Sequence, residues 1–194
     1  MWSHPIMFAS LGVFLIATVI SVFAGLNGVK LAHLVRDPAA VYKYPSYVGF
    51  FSHVGIFFMV STAAITGFAA WLSRNLEREN YVVLAAASVL SGTLVLDDVF
   101  MLHEEASRLG EVAIFAVYGL IGLGIWHKLR GLDGRYDLNG FRIAIFFLGL
   151  SVFTDVFKIY GPFSHWLEDF SKLSGFAAWL MFWAGFSRQT LTSD

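Results

Sequence analysis

The chain contains no cysteine, so it can form neither a disulfide nor a thiolate metal site, and any bound metal would need histidine and carboxylate ligands. Charge is also scarce. Only 14% of the 194 residues are Asp, Glu, Lys or Arg, where a soluble domain carries about 25%. The formal net charge is -1, with no basic or acidic run, and nothing in that pattern suggests a nucleic-acid partner. No Lys or Arg precedes Lys30, and the apolar stretch behind the N-terminus is too long for a signal h-region, so it is expected to stay as a first span. What the chain does have is 57% hydrophobic residues in long runs with short connections. That leaves too little polar sequence for a separate soluble domain and implies a single transmembrane domain over residues 1–194.

A hydrocarbon core of about 30 Å needs roughly 20 apolar residues in helix. Stretches of that kind run from Pro5 to Val29, Tyr47 to Leu72, Tyr81 to His103, Val112 to Trp126, Phe141 to Tyr160, and Leu173 to Phe186, the last extended back to about Ser164 behind the Gly161-Pro162 break. The expected fold class is therefore an all-α integral membrane bundle of about six transmembrane helices. An even number of spans puts both termini on one side. The basic residues divide nearly evenly between the two sides and lean only slightly toward cytoplasmic termini, whereas the acids gather on the opposite face. The segment from Lys30 to Ser46, with Asp37-Pro38 and Tyr44-Pro45, predicts a short interfacial helix and a turn, and Asp133-Gly134 marks a turn between spans.

The candidate chemistry lies near the face opposite the termini. In Leu96-Asp97-Asp98-Val99-Phe100-Met101-Leu102-His103-Glu104-Glu105, counting from Tyr81 places the two aspartates roughly 5 Å inside the hydrocarbon. As one continuous helix, Asp97 would share a face with Met101 and Glu104, Asp98 would share one with Glu105, and His103 would point elsewhere. In a final helix starting near Ser164, His165, Glu168, Asp169 and Lys172 form one polar stripe, and Glu168 to Lys172 is a favourable i, i+4 pair. Asp155 and His53 complete the set at a depth on the order of 10 Å. Asp98-Val99-Phe100 is echoed by Asp155-Val156-Phe157.

Ionisable groups inside a membrane are costly and by default face the bundle interior. The structural alternative is an ion pair, or a carboxylic acid kept neutral by burial. Two histidines with several carboxylates are the ligand inventory of a carboxylate-bridged iron or manganese site, although the helical Glu-x-x-His spacing is absent. Zinc held by His53, His103 and His165, activating water against a lipid ester or amide, is another reading. The candidate metal ligands are thus Asp97, His103, Glu104, Asp155, His165, Asp169 and His53, with Asp98 or Glu168 as catalytic base. The expected partners are membrane lipid and a lipid-like substrate, with association into a homo-oligomer or larger membrane complex left open. A proton or cation relay through the same residues, or a structural subunit whose polar cluster locks the helices together, remain as alternatives. The many Phe and Trp residues are expected to face lipid and anchor the interfaces.

The succession Leu96-Asp97-Asp98 with His103-Glu104, Ser151 with Asp155, and Leu167-Glu168-Asp169 with Lys172, Gly175 and Trp179 resembles a family of small polytopic bacterial membrane proteins without an assigned function. The resemblance covers roughly the second half of the chain and implies a multi-pass location in a bacterial cell membrane. A more distant analogy is to alkaline ceramidase-like membrane hydrolases, which pair a buried Asp and Ser with zinc-binding histidines. This chain departs from them in lacking a His-x-x-x-His pair.

Overall fold

The computed structural model describes residues 3–36, 38–45, 47–76, 78, 80–132, 136–157 and 164–192, and it divides into two compact units, residues 1–50 and 51–194. It is all-helical. The first unit holds α1 (Ser3–Leu26) and two short helices, α2 (Leu31–Val35) and α3 (Pro38–Tyr42). α1 stops because Gly28 turns left-handed (φ 82°), which lets its own N–H reach the Gly25 carbonyl at 3.0 Å and the Val29 N–H reach Ala24 at 3.0 Å. These two bonds satisfy carbonyls that the helix end would otherwise leave open. The segment expected to carry one interfacial helix carries two short ones. Pro38 opens α3 at the position where a missing N–H costs nothing.

The second unit is built from α4 (Phe50–Asn75), α5 (Tyr81–Phe100), the short α6 (Leu102–Glu105), α7 (Arg108–Leu129, continued by a 3₁₀ turn at Arg130–Leu132), α8 (Asn139–Val156) and α9 (Ser164–Thr192). Four of its helices, α4, α5, α7 with its 3₁₀ turn, and α8, are long and apolar enough to cross a membrane. Among the described residues, the apolar part of α1 is the shorter stretch Ser10–Leu26. α9 is the longest helix at 29 residues, but it carries Glu168, Asp169, Lys172 and Arg188 and falls below that hydropathy level. It begins at Ser164, where the sequence predicted; Tyr160 and the Gly161-Pro162 break lie outside the described residues, as does Asp133-Gly134. α7 begins a turn earlier than its apolar run because Ser107 caps it, accepting a hydrogen bond from the Gly110 N–H at 3.3 Å.

Lipid is as apolar as a protein core, so close approach and interhelical hydrogen bonds, rather than expulsion from water, hold such helices together. The seams show both. A Cβ added at Gly175 of α9 would lie 2.7 Å from the Leu148 side chain of α8, and one at Gly67 of α4 would lie 2.8 Å from Ser88 Oγ of α5. Ser88 donates to the Ala63 carbonyl at 2.8 Å, and Trp179 Nε1 donates to Ser91 Oγ at 3.0 Å, tying α5 to α4 and α9. Thr62 and Thr66, both fully buried, donate back to Phe58 and Thr62 of their own helix, so neither hydroxyl proton is stranded.

The core is aromatic. Phe176, Trp179, Phe182, Trp183 and Phe186 of α9 are buried, and Trp179, Phe182 and Trp183 surround Phe141 of α8, whose ring centre is 5.4 Å from those of both Trp179 and Phe182. Rings such as Phe14, Phe57 and Phe68 are exposed on the surface of their helices. The expectation of lipid-facing aromatics is corrected for the rings from Phe176 to Phe186 of α9, which are buried, whereas Trp166 and Phe170 near the start of that helix are exposed.

Candidate functional site

The site begins with a break that the continuous-helix reading of Tyr81 to His103 did not contain. α5 ends at Phe100 because Met101 adopts a left-handed conformation (φ 51°), with its N–H bonded to the Asp97 carbonyl. That conformation is unfavourable for a non-glycine residue, so surrounding contacts must hold it. They do: the chain folds back, the His103 N–H donates to Asp97 Oδ1 at 2.9 Å, and the His103 ring donates through Nδ1 to Asp97 Oδ2 at 2.9 Å. Two bonds to one carboxylate fix both side chains. Asp97 is only 3% exposed, and the imidazole rests against Phe115 of α7 with ring centres 5.2 Å apart. Tyr118, one turn further along α7, lies beside the same carboxylate.

A second pair joins distant segments. The Lys172 ammonium of α9 donates to Asp98 Oδ1 of α5. Asp98 is nearly buried and Lys172 about one-third exposed, so the pair sits at the edge of the protein interior. The sequence pairs Lys172 with Glu168 on its own helix; the structure gives it an ion-pair partner on another helix, Asp98.

Both pairs line one end of a cavity of about 760 Å³ bounded by α5, α7, α8 and α9. Asp155 and Glu168 line the cavity as well, and the echoed aspartates, Asp98 and Asp155, come from the C-terminal turns of α5 and α8. The rest of the wall is largely apolar: Leu90 and Leu94 of α5, Leu123 of α7, Ile145 and Phe146 of α8, and Phe176 of α9. At the far end Trp126 of α7 stacks on Phe141 of α8 (5.8 Å between ring centres, 11° between planes), and the Arg142 guanidinium lies 5.7 Å above the Trp126 ring. Gly119 and Gly122 of α7 and Gly149 of α8 also line the cavity, and a Cβ built on any of them meets nothing within 4 Å.

Of the residues singled out from sequence, Asp97, Asp98, His103, Asp155 and Glu168 therefore come together around one cavity. His53 is exposed in the first turn of α4 and Asp169 is exposed on α9, and neither is among the lining residues. The side chains of Glu104 and His165 lie outside the described residues. Among the described residues, no group of three or more His, Asp or Glu side chains is placed to hold a metal ion. Sequence reasoning missed Tyr118, Arg142 and the three cavity glycines. Glycine recurring on α7 was the one visible signal for the last of these.

Four helices long and apolar enough to cross a membrane mark the chain as a membrane protein, and an apolar cavity headed by two charged pairs lies among its helices. The chain belongs to the family described as a domain of unknown function, DUF8692, whose model matches residues 9–186. This agrees with the expected membership of a family without an assigned activity. No curated protein and no solved structure matches the chain.

Proposed function

We propose that this protein is a multi-pass membrane protein that takes a lipid-like amphiphile into the cavity between α5, α7, α8 and α9, and that the Asp97–His103 pair exchanges a proton with the polar part of that ligand. In this reading α1 and α9 cross the membrane with the four apolar helices. That makes six spans, with both termini on the cytoplasmic side of a bacterial cell membrane.

The observation that carries the reading is the polarity gradient of one cavity. Its volume falls in the range of roughly 300–1,000 Å³ typical of small-molecule sites, and such sites are mostly apolar with a few placed polar groups. An amphiphile matches that gradient, its chain along the leucines and phenylalanines and its head at the paired charges. The proton role follows from the hydrogen bonds. With Nδ1 donating to a buried carboxylate, the His103 ring is held in one orientation and tautomer, and Nε2 becomes the basic nitrogen. Asp98, already engaged by Lys172, anchors the head end of the wall, and Glu168 adds a further carboxylate to the lining.

A divalent iron, manganese or zinc ion suits these residues less well than an amphiphile does. Asp97 uses both oxygens on His103, Asp98 is paired with an ammonium, and that ammonium repels a second cation.

The test is extraction of the lipids that remain with protein purified in detergent, compared by mass spectrometry with the lipids of the source membrane. One amphiphile class enriched in the wild type and lost in Gly119→Trp, which fills the cavity from an open position, supports the reading. Bound lipid with the composition of the bulk membrane in both proteins contradicts it.

A further inference from the structure

We infer that the cavity is a measuring slot, which accepts one extended chain and selects its length by the Trp126–Phe141 stack at the far end. This deepens the ligand reading above and rests on it. The polar end is defined by Asp97, Asp98 and Lys172. At the opposite end of the lining Trp126 and Phe141 stack, with the Arg142 guanidinium over Trp126. A hydrocarbon tip that pushed past the rings would press against a charged guanidinium and shield it from its polar surroundings without offering a hydrogen bond in return, which is costly. The floor is therefore both a steric and an electrostatic stop.

The long axis follows from the helices. From Phe141 to Asp155 along α8 is roughly 20 Å, and from Glu168 to Trp179 along α9 roughly 16 Å, at about 1.5 Å per residue. The slot is thus well over half the depth of a hydrocarbon core of about 30 Å. Its width is set by glycine. A Cβ placed on Gly119, Gly122 or Gly149 would have nothing within 4 Å, so the chain's path runs where these residues leave the wall thin. Gly149 lies about midway between Phe141 and Asp155, which makes it the point at which added bulk cuts the slot short.

The test is native mass spectrometry of the full-length protein in detergent, offered an equimolar series of monoacylglycerols ranging from shorter to longer than the slot. The neutral head keeps charge out of the comparison. Wild type should retain one chain length in preference to its neighbours, Trp126→Ala should move that optimum to longer chains, and Gly149→Leu should move it to shorter ones. Retention of the series without a preference, or an unchanged optimum in both variants, overturns the measuring slot while leaving a ligand cavity standing. Retention of no member by any form overturns the ligand reading itself. Should Trp126→Ala fail to fold, Gly149→Leu decides the question, because its new side chain enters open space.

Discussion

Glycine plays opposite parts at the two sides of α8. Where α9 crosses it, Gly175 lets the backbones approach until a single added carbon would meet Leu148 at 2.7 Å. Across the cavity, Gly149 on α8 and Gly119 and Gly122 on α7 have nothing opposite them. One side is a seam of helix against helix, backed by buried rings. The other is a gap kept open by the same residue type. α7 makes the contrast plain, since only 6% of its apolar window is buried, against 33% for α5. Close packing and open space are thus assigned to different faces of one helix, and substitutions can separate them.

The largest effect is expected on the closed side. Gly175→Leu forces a branched side chain into Leu148 and the α8 backbone, and it should cost about 3 kcal/mol or prevent folding altogether, as overpacked interiors do. Thermal unfolding in detergent measures this, and wild-type stability in that variant would erase the distinction between the two sides. Trp179→Phe keeps the ring in the core but removes the hydrogen bond to buried Ser91, for an expected loss of roughly 1–2 kcal/mol in the same assay. Gly149→Leu, on the open side, should leave stability within about 0.5 kcal/mol while changing what the cavity holds. A destabilisation equal to that of Gly175→Leu would mean the gap is a packed interface after all.

The smallest perturbation tests the frame itself. The absence of native cysteine makes single-cysteine labelling clean. Glu105→Cys and Gly131→Cys, both at exposed positions flanking α7, should react with a membrane-impermeant maleimide from opposite faces. Labelling of both from one face would show that α7 does not span.

Much of the frame was legible because membrane thickness and helical rise are fixed quantities. Counting from Tyr81 was enough to set Asp97 and Asp98 near the end of a membrane-length helix, and the serine before the last polar stripe marked the start of α9. Three features were not legible. The break at Met101 has no glycine, proline or asparagine to announce it, because the left-handed turn is held by the His103–Asp97 bonds it creates. Lys172 has a carboxylate at i−4 in sequence and another on a different helix in space, and local spacing favours the first. The buried rings of α9 recur at helical spacing, yet hydrophobicity cannot sort inside from outside when the solvent is lipid. The better signal was the small residues opposite them, with Gly140 placed against Phe182 and Ser91 against Trp179.

The central claim is that a chain lies between α7 and α8. A monoacylglycerol carrying a diazirine at mid-chain, activated by light on the protein in nanodiscs and mapped by peptide mass spectrometry, tests it directly. A ligand in the slot gives adducts concentrated on Gly119–Leu123 of α7 and Ile145–Val152 of α8, reduced in Gly149→Leu. Adducts spread over the exposed apolar surface of α4, at residues such as Phe57 and Phe68, with none enriched in the slot, would contradict it.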